Sequence, residues 1–236
     1  MPLPLQKSEK EKDYLKKKYL IYGDPKIGKT TIVANLAIDP DKVLFFATEA
    51  GHTEQEVYLW HTDDGKLPTN WNHFKQMVKE ITSEKNDFKC VAIDTVDNLY
   101  MWCASYICNK YSIEHESDLG FGKGYAAIKD ELLKVINYLT QQGIGVVFIS
   151  HKGESEVTKD GRKITIISPT LPSTGKKVIT GLCDYILFFH ANSEGKRIII
   201  TKGTESIQAG DRSGNLPAWM DMDAELLIKN LKGEEK

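Results

Sequence analysis

Residues 23–30 read Gly-Asp-Pro-Lys-Ile-Gly-Lys-Thr, a spacing of glycine, lysine and hydroxyl side chains that suits the binding of phosphate groups. An apolar run at residues 19–22 precedes this loop, and residues 31–37 follow it with apolar side chains at helical spacing. Glycine allows the backbone to curl so that successive N–H groups face phosphate oxygens, and the positive end of the following helix adds attraction. The pattern of strand, loop and helix therefore predicts a nucleotide site.

The loop supplies candidate contacts for a nucleotide and its metal ion. Lys29 is expected to reach the β- and γ-phosphates of ATP, and the Thr30 hydroxyl is expected to coordinate Mg²⁺. ATP and Mg²⁺ are accordingly the predicted cofactors. The candidate nucleotide contacts are Gly23, Asp24, Pro25, Lys26, Ile27, Gly28, Lys29, Thr30 and Thr31.

Three further polar side chains stand at or just after the ends of apolar runs, where ligands bind in open α/β sheets. Asp94 ends one run and is predicted to hold Mg²⁺, directly or through water. Glu49 follows residues 42–48 and is predicted to orient and deprotonate the water that attacks the γ-phosphate; the alternative is a solvated loop acid. His151 follows residues 145–150 and is interpreted as a sensor of the γ-phosphate; the alternative is a loop histidine without a role.

Basic side chains later in the chain are candidates for contact with nucleic acid. A glycine-rich segment lies at residues 120–124, and Asp160-Gly161 predicts a tight β-hairpin. The net charge of −2 gives no global basic field, so any such site must be local. The hairpin also carries acids and lacks interleaved aromatic residues, which keeps an ordinary solvated hairpin as the alternative. The candidate DNA contacts are Lys123, Lys152, Lys159, Arg162 and Lys163.

The composition is that of a soluble protein, with 41% hydrophobic and 27% charged residues. No apolar run reaches membrane-spanning length, and the four cysteines form no C-x-x-C pair, so we expect no membrane contact and a reducing, cytoplasmic location. Residues 1–18 carry six lysines and are interpreted as a solvated, partly helical arm. The alternative is an electrostatic arm for nucleic acid or a neighbouring subunit. Residues 19–236 contain no linker-like segment and are predicted to form one core domain.

Strand and helix patterns alternate through the first 150 residues, and short strand patterns follow. This order predicts an α/β fold with a mainly parallel sheet flanked by helices. Antiparallel strands near the C-terminus and the β-hairpin complete the predicted fold.

A set of motifs occurs in a fixed order over residues 19–230. They are Y-G-D-P-K-I-G-K-T at 22–30, F-F-A-T-E-A-G at 45–51, V-A-I-D-T-V at 91–96, G-F-G-K-G-Y-A-A-I at 120–128, V-V-F-I-S-H-K at 146–152, V-T-K-D-G-R-K-I-T at 157–165, I-S-P-T-L-P at 167–172 and G-D-R-S-G-N-L-P at 210–217. This ordered set resembles the RecA-like P-loop ATPases of phages. It looks most like the phage nucleotide-binding proteins grouped with single-strand annealing and recombination systems.

The resemblance implies a RecA-like core and gives roles to particular residues. Glu49 matches the position of the catalytic glutamate, and His151 matches the position of a polar phosphate sensor. The segment after His151 matches a mobile DNA-binding loop. Arg212 looks like the late basic residue that reaches a neighbour's ATP in related hexameric helicases; the alternative is a surface arginine paired with Asp211.

Two functions remain open from the sequence. The first is an oligomeric ATPase that binds single-stranded DNA and supports recombination or annealing, with a single-strand-binding or replication protein as a possible partner. The second is an ATP-dependent switch or loader that acts on replication proteins without contact to DNA. Steep dependence of oligonucleotide binding on salt would distinguish the first from the second.

Overall fold

The computed structural model describes residues 9–38, 42–51, 55–83 and 85–234, so residues 1–8 of the predicted arm lie outside the described part of the chain. Within these ranges the strands are β1 (Lys18–Gly23), β2 (Lys42–Ala47), β3 (Tyr58–Leu59), β4 (Phe88–Asp94), β5 (Gly145–Lys159), β6 (Arg162–Pro169), β7 (Tyr185–Ala191), β8 (Arg197–Ile200), β9 (Gly210–Asp211) and β10 (Trp219–Asp221). The helices are α1 (Lys29–Ala34), α2 (Trp71–Ser83), α3 (Val96–Tyr111), α4 (Lys123–Gln141), α5 (Ser173–Leu182) and α6 (Ala224–Lys232).

The strands form one mixed sheet in the order β10-β8-β7-β1-β5-β4-β2-β3. All pairings from β7 across to β3 are parallel. The pairings of β8 and β9 with β7, and of β10 with β8, are antiparallel. Because parallel strands present their carboxyl ends at one edge, the residues after β1, β2, β4 and β5 meet there. The predicted α/β fold class is confirmed.

Both faces of the central strands are buried, which explains their nearly continuous apolar sequences. Along β1, Leu20 packs into the core under α2 to α5, and its neighbours Tyr19 and Ile21 pack into the opposite core under α1 and α6. This alternation follows from the two-residue period of a strand. The phosphate loop therefore follows directly from a strand that is buried on both faces of the sheet. Within the described residues no helix has the length and apolar character needed to cross a membrane.

The predicted hairpin is present. Its first strand is continuous with the strand that begins at Gly145, and the two together form β5. Beyond His151 this strand pairs with β6 from Lys152↔Pro169 to Lys159↔Arg162. The turn residues Asp160 and Gly161 have φ angles of 50° and 75°, as a tight primed turn requires. The hairpin is thus a direct extension of a central strand.

Part of the predicted N-terminal arm belongs to the core. Residues Tyr14–Lys16 form a 3-10 turn, and Leu15 is buried. The hydroxyl of Tyr14 donates to the carbonyl of Leu36 at 2.8 Å, which ties the turn to the end of the α1 segment. These apolar side chains pack into the core beside β1, and the predicted division of the chain between residues 18 and 19 stays a prediction.

Candidate active site

The phosphate loop leaves β1 at Gly23 and enters α1 at Lys29. A Cβ on Gly23 would lie 2.4 Å from the carbonyl oxygen of Phe189 on β7, so the close packing of the two strands requires glycine there. Gly28 has a φ of 112°, a left-handed conformation that other residues rarely adopt. Helix α1 ends at Ala34, three residues earlier than the sequence pattern predicted, because the backbone N–H of Asn35 is shared between earlier carbonyls.

Lys29 lies inside the loop with its side chain directed back at the backbone. It is only 7% exposed, and its Nζ donates to the carbonyl oxygens of Gly23 and Asp24, each at 2.9 Å. Burial lowers the pKa of Lys29, and the nearby carboxylate of Asp94 acts in the opposite direction. The ammonium group is therefore held at the mouth of the loop by acceptors that a phosphate group can replace.

Thr30 and Asp94 meet across the sheet edge although 64 positions separate them in sequence. The hydroxyl of Thr30 donates to Oδ2 of Asp94 at 2.7 Å. A hydroxyl and a carboxylate are both oxygen ligands of the kind that Mg²⁺ prefers, and Mg²⁺ keeps several waters besides. The donor set therefore fits the predicted metal, and these two residues would hold it.

Glu49 is fixed by hydrogen bonds from the start of α3. Its Oε1 accepts from the hydroxyl of Thr95 at 2.9 Å and from Nδ2 of Asn98 at 3.0 Å. Nε2 of His151 lies 3.7 Å from the same oxygen. Because both hydrogen bonds go to Oε1, the other oxygen, Oε2, is available as an acceptor for water, and no described residue forms an ion pair or hydrogen bond with it. Glu49 and His151, the predicted base and the predicted phosphate sensor, are thus brought together.

Asp97 joins three segments of the site, which the sequence did not indicate. Asp97 lies in the first turn of α3, whose N-cap is Thr95. Its Oδ1 accepts from the hydroxyls of Ser150 at 3.0 Å and Thr170 at 2.6 Å. Asp97 therefore links α3 to both ends of the segment that contains the hairpin, immediately beside His151.

The candidate DNA contacts do not form one continuous basic surface. Lys152 contacts Asp24 of the phosphate loop, Lys159 contacts Glu205 at 3.0 Å, and Lys163 lies 3.7 Å from Glu156. Arg162 is exposed at the tip of the hairpin, and Lys123 is exposed as the first residue of α4. Three of the five cations are therefore partly neutralised by carboxylates.

Arg212 lies at the sheet edge opposite the phosphate loop, where Asp184 also contacts Lys18 at the start of β1. Its Nη1 is 2.7 Å from Oδ1 of Asp184, and its Nη2 donates to the carbonyl of Cys183 at 3.3 Å. Asp184 precedes β7, so this contact is at the amino end of the parallel strands. The alternative pairing with Asp211 is wrong, because the carboxylate of Asp211 instead accepts from Ser213 and Leu216 in the following turn. The predicted action of Arg212 on a neighbouring subunit stays a prediction.

Two exposed residues were not among the predicted site residues. Phe121, between Gly120 and Gly122, is completely exposed and stands two positions before Lys123. Nη1 of Arg197 lies 3.6 Å from the point where a Cβ on Gly28 would be, so this guanidinium flanks the phosphate loop. The glycines around Phe121 were visible in the sequence, whereas the position of Arg197 depends on the pairing of β8 with β7.

The strand–loop–helix at residues 18–34, with Asp94 and Glu49 at neighbouring strand ends, defines a P-loop nucleotide-binding domain. The AAA domain family matches residues 15–213, and the chain belongs to this family. A curated relative is the SPbeta prophage-derived uncharacterized protein YorG of Bacillus subtilis (strain 168), 25% identical over 190 residues. The match covers 76% of this chain and 53% of YorG, so the chain spans about half the length of that relative.

Among solved structures, the crystal structure of the RadB recombinase is similar with a TM-score of 0.46 and 14% sequence identity. The superposition covers 78% of this chain and 80% of the RadB chain.

Proposed function

We propose that this protein hydrolyses ATP with Mg²⁺ and works as an oligomer on single-stranded DNA in phage-type recombination or annealing. The observation that carries the proposal is the convergence of Lys29, the Thr30–Asp94 pair and the fixed carboxylate of Glu49 at one sheet edge. Phosphoryl transfer needs little more than positioning and charge stabilisation, and these residues supply both.

Each residue has a distinct part in the proposed reaction. Lys29 exchanges its two carbonyl acceptors for phosphate oxygens and balances their charge. Thr30 and Asp94 would hold Mg²⁺, which would neutralise negative charge that develops on the phosphates. Glu49, oriented by Thr95 through a 2.9 Å hydrogen bond, accepts a proton from the attacking water.

Contact with single-stranded DNA is supported by the segment around Phe121. Proteins that bind single strands without sequence preference combine cations for the backbone with aromatic side chains on which bases stack. Phe121 is fully exposed next to Lys123, and the exposed Arg162 at the hairpin tip adds a second cation. The chemistry suits an extended, unpaired strand more than a duplex.

The experiment that tests the proposal measures ATP turnover with and without a labelled single-stranded oligonucleotide. We expect hydrolysis that requires Mg²⁺ and is stimulated by the oligonucleotide. Fluorescence anisotropy in the presence of a slowly hydrolysed ATP analogue should give binding that weakens steeply with salt. Turnover without any oligonucleotide binding at low salt would contradict the DNA part of the proposal and leave the ATPase part standing.

A prediction follows for the hairpin cations Lys159, Arg162 and Lys163. Replacing all three by alanine should weaken binding to single-stranded DNA. The slope of log K against log salt should become shallower by about 2, since each phosphate contact on a single strand contributes about −0.7 to it. A charge-matched control replaces three exposed lysines elsewhere, Lys66, Lys79 and Lys134, and should keep the slope. Equal slopes for the hairpin variant and the wild type would exclude these contacts.

A second candidate function is an ATP-dependent switch or loader that acts on a replication protein without contact to DNA. The observation in its favour is the pairing of Lys159 with Glu205 and of Lys163 with Glu156, which reduces the charge available to a phosphate backbone. Nucleotide-dependent binding to a single-strand-binding or replication protein, together with no salt-sensitive DNA binding, would favour this function over the first.

The predicted action of Arg212 across subunits can be tested by mixing inactive variants. Arg212→Ala retains the phosphate loop, whereas Lys29→Ala retains Arg212, so each should be inactive alone and hybrid interfaces should recover part of the turnover. The guanidinium must leave Asp184 for this role, so Asp184→Asn should not lower turnover. Full activity of Arg212→Ala, or no recovery although the subunits exchange, would rule out the assignment.

A further inference from the structure

Lys152 lies between two carboxylates that come from different parts of the molecule. Its Nζ is 3.1 Å from Oδ1 of Asp24 in the phosphate loop and 3.1 Å from Oε1 of Glu154 in the hairpin. The side chain is 22% exposed, against 79% for Lys163 further along the hairpin. Hydrogen bonds to Asp24 and Glu154 raise the pKa of Lys152, so the ammonium is charged at neutral pH. A cation directed at the phosphate loop is poorly placed for DNA and well placed for a nucleotide.

The backbone position of Lys152 is fixed by the central sheet. The preceding residue, His151, is opposite Gly23, the last residue of β1, in the parallel register of β1 and β5. Lys152 itself is opposite Pro169 and forms the first pair of the hairpin. It therefore stands where the rigid sheet edge continues into the hairpin, one residue after the histidine beside Glu49.

Asp24 connects Lys152 to the lysine of the phosphate loop. The backbone carbonyl of Asp24 accepts from Nζ of Lys29 at 2.9 Å, while its carboxylate contacts Lys152. Two ammonium groups thus converge on one residue. A phosphate bound by Lys29 competes with that carbonyl and brings negative charge close to the Asp24 carboxylate. Like charges at this distance repel, and the phosphate is the stronger acceptor for a lysine.

We propose that Lys152 is a second phosphate-binding lysine, which exchanges the carboxylate of Asp24 for the terminal phosphate of a bound nucleoside triphosphate. The proposal rests on the nucleotide-binding function of the loop. A diphosphate lacks the terminal group, so Lys152 stays with Asp24 when a diphosphate is bound. Lys152 thereby sets the preference for triphosphate over diphosphate, and Asp24 acts as the internal anion that the terminal phosphate must displace.

The exchange also reaches the hairpin, because Lys152 is bonded to Glu154 as well as to Asp24. With a triphosphate the hairpin is tethered to the nucleotide through Lys152, and with a diphosphate it is tethered to the phosphate loop. Binding of a ligand at the hairpin therefore depends, through Lys152, on whether a triphosphate or a diphosphate is bound.

The test compares the affinities of labelled ATPγS and labelled ADP, both with Mg²⁺, for the full chain and its variants. Lys152→Met should weaken ATPγS binding about tenfold and leave ADP binding unchanged, since a hydrogen bond to a charged phosphate is lost only with the triphosphate. Lys152→Arg should retain most of the ATPγS affinity that Lys152→Met loses. Asp24→Asn should strengthen ATPγS binding several-fold, because it removes the competing anion.

Matched controls come from Asp64 and Lys66, an exposed pair with a 2.6 Å contact outside the site. Asp64→Asn and Lys66→Met should leave the ratio of the two affinities as in the wild type. An intact ADP affinity shows that the Lys152→Met variant is folded. Equal losses of ATPγS and ADP binding would mean that Lys152 only positions the loop, and an unchanged ratio would also overturn the proposal. If the wild type binds neither nucleotide, the nucleotide-binding function fails as well.

Discussion

Replacing Lys29 by alanine is expected to abolish ATP hydrolysis, with turnover falling at least about 10²- to 10³-fold, the scale of losing one donor that stabilises charge in a transition state. The physical reason is the position of Lys29, whose Nζ is held at the mouth of the phosphate loop by two carbonyl oxygens. A phosphate group that takes their place gains a buried cation, and alanine offers it none. Phosphate release under saturating ATP and Mg²⁺ measures the effect.

The same substitution should leave the fold intact. Burial lowers the pKa of Lys29, so the charged side chain is held in the folded state at a desolvation cost that alanine removes. The two loop carbonyls lose a donor, which costs about 1–3 kcal/mol where water cannot replace it, and the two effects oppose each other. Circular dichroism on heating should show a melting temperature within a few degrees of the wild type.

Lys176 provides the matched control for Lys29. It is also partly buried, but its Nζ donates to the hydroxyl of Ser168 on β6, at 2.8 Å, and not to the phosphate loop. Lys176→Ala should retain turnover. Wild-type hydrolysis by Lys29→Ala would remove the site assignment, and unfolding of that variant alone would show that Lys29 stabilises the loop.

The main features of the site could be predicted because they depend on local sequence. The loop at residues 23–30 has the spacing of glycines, lysine and threonine that phosphate binding requires, and Asp94 and Glu49 each stand at the end of an apolar run. Parallel strands bring such ends to one edge, which places both acids on the side of the phosphate loop. The contact between Thr30 and Asp94 depends in addition on the strand order, in which β4 lies two strands from β1.

Other features depend on contacts between distant segments and could not be predicted. The partners of Asp97 are Ser150 and Thr170, which are 53 and 73 positions away. The local sequence around Asp97 therefore does not show that this residue joins three segments. Arg212 pairs with Asp184 rather than with its sequence neighbour for the same reason. The hydrogen-bond partners of a side chain can come from any part of the fold, whereas apolar periodicity indicates only the secondary structure of its own segment.

Some strands could not be recognised from the sequence, because their apolar alternation is too short or is interrupted. Strands β3 and β10 have two and three residues, below the length at which alternation can be recognised. The residues 151–153 are polar or glycine in the middle of β5, so the apolar pattern of residues 145–150 ends there. The strand nevertheless continues, because residues 152–159 pair with β6.

Replacing Glu49 by glutamine should leave binding of ATP and Mg²⁺ nearly unchanged and lower turnover by about 10²-fold or more, the contribution expected of a general base. The amide keeps an oxygen that can accept from Thr95 and Asn98, whose bonds to Oε1 measure 2.9 and 3.0 Å, so the side chain stays in place. It loses the ability to take a proton from water. Single-turnover hydrolysis and equilibrium binding of ATPγS separate the two effects.

Two controls make the result specific to the carboxylate. Glu56→Gln changes an exposed acid a few residues further along the chain and should hydrolyse ATP at the wild-type rate. Thr95→Val removes one of the two donors that orient Glu49 while keeping the carboxylate, so it should lower turnover less than Glu49→Gln does. If Glu49→Gln hydrolyses ATP at the wild-type rate, Glu49 is a solvated acid and the base must be sought elsewhere at the same sheet edge. If it loses ATPγS binding together with turnover, the carboxylate stabilises the site and does not act on water.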